Sequence, residues 1–180
     1  MAAIALASAL CASAACGGGD DTVEGPPPPA PATVTVRSAA FADGGSIPAR
    51  FTCSGGDVSP PLEWRGGPAR TRGWALLLED PDAPSGTFVH WTLYDIPPAT
   101  SGLRIGAIPP GAREGENSFG DRGYGGPCPP AGDAPHRYVF LVYALRSPLG
   151  LDAGAAADDV RAAIEEHAIA RGRLVGRFGR

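Results

Sequence analysis

Gly120–Leu145 reads GDRGYGGPCPPAGDAPHRYVFLVYAL, and it joins two kinds of chain. Gly123 to Pro130 is dense in glycine and proline. Glycine opens backbone angles closed to other residues and lets a ligand approach bare N–H groups, while proline stiffens what remains. Arg137 to Leu145 is aromatic, β-branched and apolar without a breaker, which predicts a buried strand. Between them His136 and Tyr138 put a titratable ring and a phenol where a rigid loop enters a core strand. Small-molecule sites are often built this way, from polar groups on a scaffold edge. The plainer reading is a tight turn with a packed histidine, and this stretch taken alone favours it.

Upstream, Gly73 to Glu79 is a continuous apolar run, which predicts a central strand covered on both faces. It ends in Asp80-Pro81-Asp82-Ala83-Pro84, and a second strand follows from Phe88 to Ile96. The prolines force extended or turn backbone on the residues before them, so Asp80 and Asp82 are held in place. His90 lies in the second strand. Thr33-Val34-Thr35-Val36 alternates like a strand with one face buried. Arg50 to Cys53 reads as another short strand, followed by the turn chemistry of Ser54 to Asp57. Ser59 to Trp64 is extended, and its prolines predict an edge position. Pro97 to Gly126 has little periodicity and reads as a surface excursion. From Ala155 to Ala170 the residues Val160, Ala163, Ile164 and Ala168 form one helical stripe, with Asp158 and Asp159 near its start. Gly172 closes that helix, and Leu174 to Phe178 is a last short strand. His167 borders the stripe and reads as a packed core histidine. The whole predicts a mainly antiparallel β domain with a peripheral helix.

The 180 residues suffice for one domain with a real core, plus some chain outside it. All 15 basic residues are arginine, and the formal net charge of −4 gives no footprint for nucleic acid or an anionic membrane. Four cysteines divide by position. Cys11 and Cys16 lie in the first stretch, and Cys53 and Cys128 lie in the body. An exported domain with two cysteines can join them; in a reducing compartment they are two small buried side chains.

Residues 1–16 read as a signal peptide. Met1 to Ala15 is apolar or small and too short to span a bilayer. Ser13-Ala14-Ala15-Cys16 resembles the lipobox of a bacterial lipoprotein, which implies lipidation of Cys16. No Arg or Lys precedes the run, and Ser13 stands where leucine is usual. Residues 17–32, with Pro26 to Pro29 and Pro31, read as a Gly/Pro-rich tether that cannot pack a core. The domain is expected over 33–180, exported to the cell envelope and touching the membrane only through its lipid anchor.

Two blocks, LLLEDPDAPSGTFVHWTLYDIPP and NSFGDRGYGGPCPPAGDAPHRYVFLVYAL, resemble the signature blocks of the phosphatidylethanolamine-binding protein family, closest to its bacterial Raf-kinase-inhibitor-like branch. CSGGDVSPPLEW, from Cys53 to Trp64, is similar to the same branch. The resemblance spans roughly Val34 to Phe178 and implies a large central antiparallel sheet flanked by a smaller one, with peripheral helix. It carries the family's anion pocket onto Asp80 with Asp82 beside it, His90, His136 and Tyr138, with Gly126 to Pro130 as the wall.

Chemically this set suits a phosphate or phospholipid head group. Imidazole N–H, phenol O–H and loop amides donate, and Asp80 accepts from a monoprotonated phosphate. An aspartate near a histidine favours the charged ring, so binding is expected to strengthen as pH falls through the imidazole range. Neither Ser85 nor Ser118 has an evident base partner, and the histidine spacing matches no zinc helix motif. We therefore expect a non-enzymatic binding protein without cofactor or metal. The resemblance adds modulation of a protein partner, a kinase or a protease. An acid–base or metal-assisted hydrolase using the Asp/His set is the alternative, and an envelope module with a vestigial pocket is a third. A Cys53–Cys128 bridge is expected to pin the pocket wall to the early strands.

Overall fold

A computed structural model describes residues 34–180. The expected signal peptide, the tether, Thr33 and Cys16 lie outside the described residues. In chain order the strands are β1 (Val34–Arg37), β2 (Leu62–Gly66), β3 (Gly73–Asp80), β4 (Phe88–Ile96), β5 (Gly102–Leu103), β6 (Arg113–Glu114), β7 (His136–Leu145) and β8 (Ala168–Phe178), with helix α1 (Ala157–His167) between the last two. A large sheet has the order β6-β4-β3-β7-β8 and a small one β1-β2-β5, every pairing antiparallel. This is the mainly β architecture expected, a large sheet flanked by a smaller one.

β3 sits at the centre because both its faces are apolar. Leu76 and Leu78 join the core between the sheets with Trp64, Trp91 and Phe140. Ala75 and Leu77 face the other way, into a second core closed by Val160 and Ile164 of α1. The molecule is thus three layers: small sheet, large sheet, helix. Since β3 and β7 run antiparallel, with Glu79 opposite Val139, the end of β3 and the start of β7 come together. That juxtaposition positions the site.

Five local expectations are corrected. Ala49–Phe51 is a 3₁₀ turn rather than a strand, and the Thr52 hydroxyl donates back to the Ala49 carbonyl at 2.9 Å. β2 lies between β1 and β5 rather than at an edge, because Pro60 and Pro61 precede its first paired residue, Leu62. The Pro97–Gly126 connection contains β5 and β6 and is braced by buried Asn117. α1 ends at His167, and β8 continues without a gap for 11 residues, so Gly172 sits within a strand. A side chain at 172 would run into the Val34 carbonyl of β1. The glycine is there for close approach, not to stop a helix. His167 is the last residue of α1 and is half-buried rather than packed in the core, with its Nδ1 2.9 Å from the Ser147 hydroxyl.

Candidate functional site

The end of β3 delivers Asp80 and the start of β7 delivers His136, both buried. His136 Nδ1 donates to Asp80 Oδ2 at 2.7 Å, and the Asp82 N–H donates to Asp80 Oδ1 at 2.9 Å. The proline-flanked turn therefore caps its own aspartate, and the aspartate orients the imidazole. His136 Nε2 has no hydrogen bond, Asp133 standing off at 3.7 Å.

β4 supplies His90. Its Nδ1 donates to the Gly125 carbonyl at 2.8 Å, while the Gly125 N–H donates to the His90 carbonyl at 2.9 Å. Burial lowers the pKa of this ring, outweighing the opposing pull of the Gly125 carbonyl and the Asp80 carboxylate. The expectation of an imidazole raised by its aspartate fails at His90, where desolvation wins. A neutral ring that donates from Nδ1 has a lone pair at Nε2, so His90 is an acceptor toward the site.

These side chains line a recess of about 280 Å³ together with Phe88, Phe119, Cys128 and Pro130. Tyr138 stacks edge-on to His90 with centroids 5.2 Å apart. Its hydroxyl is buried with no hydrogen-bond partner. Burial, with Asp80 nearby, raises its pKa, so it stays a neutral phenol. Phe88, Phe119 and His90 form an aromatic cluster with centroids 4.7–5.4 Å apart.

Of the residues expected at the site, Asp80, His90, Pro130 and His136 line the recess, and Tyr138 lies against His90. Asp82 does not line it. It faces outward to Arg137, which donates from its backbone N–H (2.8 Å) and forks onto both carboxylate oxygens through Nε and Nη2. Those bonds hold the Asp82 carboxyl down at about 2, against a smaller opposing effect of burial. Gly126 stands behind the wall. Its N–H donates to Asp57 at 2.7 Å, and any side chain there would strike Asp57 and the Phe51 carbonyl. Asp57 itself takes a left-handed backbone, φ 49°, which aspartate tolerates better than most.

Sequence reasoning missed the wall's supports. Cys53 and Cys128 are disulfide-bonded with Cα atoms 5.4 Å apart, as expected. Beside that bond, the Cys53 N–H donates to the Pro127 carbonyl, and the Tyr124 hydroxyl donates to the Phe51 carbonyl. At the other end Arg180 Nε donates to the Pro129 carbonyl at 2.6 Å. Phe119 was also missed. It is 49% exposed and held by Asn117, whose Oδ1 accepts the Phe119 N–H. An aromatic in an otherwise polar, glycine-rich loop was the available signal.

In class, then, this is a two-sheet antiparallel domain with a ligand-sized recess where two strands of its large sheet end. The phosphatidylethanolamine-binding protein family profile matches residues 37–179, and the chain belongs to that family. It is 43% identical over 152 residues to a Methanothermobacter thermautotrophicus UPF0098 protein, covering 82% of this chain and 99% of that one. A Mycobacterium tuberculosis protein named as a lipoprotein, LppC, is 41% identical over 175 residues, covering 90% of this chain and 87% of that one. Among solved structures, Escherichia coli YbcL, described as a member of the mammalian PEBP family, superposes with a TM-score of 0.79. It is 32% identical and covers 83% of this chain and 99% of that chain. At the family level this supports a binding protein rather than an enzyme. Among the described residues no cluster of His, Cys, Asp and Glu could hold a metal ion, and no helix is long and apolar enough to cross a membrane.

Proposed function

We propose that this chain is a non-enzymatic binding protein, held in the cell envelope by a lipid on Cys16, whose recess takes a monoprotonated phosphate-type head group. The buried His136–Asp80 pair set against a neutral His90 carries the reading. Asp80 keeps a proton on His136 Nδ1, so a second proton drawn on by an anion sits on Nε2 and donates to it. His90 Nε2 accepts, which matches the P–OH of a monoprotonated phosphate and not a dianion. The unpartnered Tyr138 hydroxyl is a further donor. Phe88, Phe119, Pro129 and Pro130 give the recess an apolar rim for whatever carries the phosphate.

The envelope location is supported by the lipobox-like Ser13-Ala14-Ala15-Cys16 and by the similarity to LppC. Through the bound head group, or with it, the protein modulates a protein partner. A hydrolytic route through a covalent intermediate would need a side-chain nucleophile. Ser118 Oγ instead accepts the Val89 N–H at 2.9 Å, and Ser85 has no hydrogen bond to either histidine.

Calorimetric titration with phosphorylethanolamine between pH 8 and pH 6 tests the reading. Affinity should rise as the phosphate dianion takes up the proton that makes it monoprotonated, near pH 6. Flat or falling affinity over that range would refute the monoanion assignment. Turnover of a phosphoester abolished by His136→Ala would favour the hydrolase instead.

A further inference from the structure

His136 stands between two carboxylates, and only one of them belongs to the recess. Asp80 accepts from its Nδ1 at 2.7 Å. Asp133 Oδ2 lies 3.7 Å from Nε2, the nitrogen left for a guest. Asp133 does not line the recess; it lines a separate groove with Ser46, Pro135, Arg177 and Arg180. Its backbone is fixed. The Asp133 N–H donates to the Pro130 carbonyl at 3.3 Å, closing a turn in which Gly132 takes φ 92°. The Gly132 N–H donates to the Arg180 carbonyl at 3.1 Å, and Arg180 Nε donates to the Pro129 carbonyl at 2.6 Å. Pro135, directly before His136, stiffens the other end of the segment. The Asp133 side chain is 45% exposed, and among the described residues His136 is its only ion-pair partner.

We propose that Asp133 is a specificity-determining residue whose carboxylate, held on the Nε2 side of His136, discriminates against doubly charged guests in the recess. The inference rests on the recess as an anion site and adds the residue that reads the guest's charge. With both ring nitrogens protonated, His136 sets one positive charge against two negative ones, so the cluster is negative before a guest arrives. A singly charged guest meets that field once, and a dianion meets it twice. The other charges around the recess do not reverse it. Asp82 is paired with Arg137, and Arg180 on the Pro129 carbonyl offsets Asp57 on the Gly126 N–H. His90 is neutral and selects by accepting a hydrogen bond, whereas Asp133 selects by charge alone. The two contributions can therefore be separated.

Methyl sulfate and methyl phosphate at about pH 8 make the separation. They share a shape, neither carries an O–H at that pH, and they differ by one charge. Proton NMR of the His136 ring, recorded on the full chain during each titration, gives both affinities. The wild type should prefer methyl sulfate. Asp133→Asn should cut that preference about tenfold, the effect of one unit charge about 6 Å from the guest at a half-wet site. Asp133→Ser should do the same, and Asp133→Glu should keep the wild-type preference. A merely structural Asp133 would change both affinities alike and leave their ratio where it was. A ratio unmoved by Asp133→Asn would therefore overturn the proposal. So would a variant that weakens phosphorylethanolamine alone, because Asp133 would then serve the ammonium group. Wild-type binding of phosphorylethanolamine and of neither probe would make the ammonium the required group, and the proposal would equally fail. Binding of none of the three, at about pH 6 as at pH 8, would remove the anion site itself and both readings with it.

Discussion

His136 Nδ1 lies 2.7 Å from Asp80 Oδ2, and each of the two side chains is almost closed to solvent. The carboxylate fixes which nitrogen of the ring carries the proton and leaves the other for a ligand. Asp80→Asn keeps the shape and removes the charge. Folding should survive, while affinity for a phosphate monoester falls by tenfold or more, on the order of a charged hydrogen bond at ~1.5–3 kcal/mol. Calorimetry beside a thermal melt separates the two effects, and unchanged affinity would remove Asp80 from the mechanism.

Tyr138 offers the converse experiment. Its hydroxyl is buried and unpartnered, so Tyr138→Phe takes away an unsatisfied polar group and should leave stability unchanged or slightly higher. Ligand affinity should nonetheless drop by roughly a hydrogen bond, ~0.5–1.5 kcal/mol. A clear loss of stability with no loss of affinity would mark the hydroxyl as structural.

Protonation of His90 should be visible in stability. The folded ring resists a proton below its ordinary value of 6.5, whereas the unfolded ring accepts one there. Between those two pKa values the unfolded state binds more protons, so stability is full above 6.5 and declines as pH falls. Denaturant melts from pH 7.5 to 5 should show this slope, flattened in His90→Phe. Equal slopes in the two proteins would contradict the assignment.

The Cys53–Cys128 bond closes a separation of 75 residues. In the chain-entropy model its loss costs ~4 kcal/mol. The hydrogen bonds around Cys53, Asp57 and Tyr124 hold the same loops together, so the reduced wall should stay in place under native conditions. Cys53→Ser with Cys128→Ser should therefore melt well below the wild type yet bind its ligand with similar affinity at 25 °C. Lost binding in a still-folded variant would show that the bond itself shapes the recess.

Legibility of the sequence followed burial. β3 could be read directly, because a strand covered on both faces must be apolar throughout, and Trp74 to Leu78 are; β7 could be read from its unbroken apolar run Val139 to Leu145, although only one of its faces is fully buried. Asp80 and His136 stood out because prolines and glycines beside them announced rigid turns. Only the last part of β8, Leu174 to Phe178, could be read, since its inner positions include Gly172 and Gly176, emptied for Val34 and Ile47, and its outer ones are mostly arginine. Small-inside, charged-outside has no apolar alternation to detect. The engagement of Asp82 with Arg137 was likewise hidden, because it depends on which way one turn faces. The neutral state of His90 followed from burial, which two letters beside a histidine do not report.

The central claim is that His90 and His136 share one anionic guest. Proton NMR of the imidazole resonances during titration with phosphorylethanolamine tests it most directly. Both rings should shift together with one saturation curve, His136 toward the protonated position and His90 without gaining a proton, and in Asp80→Asn that curve should move to tenfold or higher concentrations. Resonances that stay still at millimolar ligand, or that saturate at different concentrations, would contradict it.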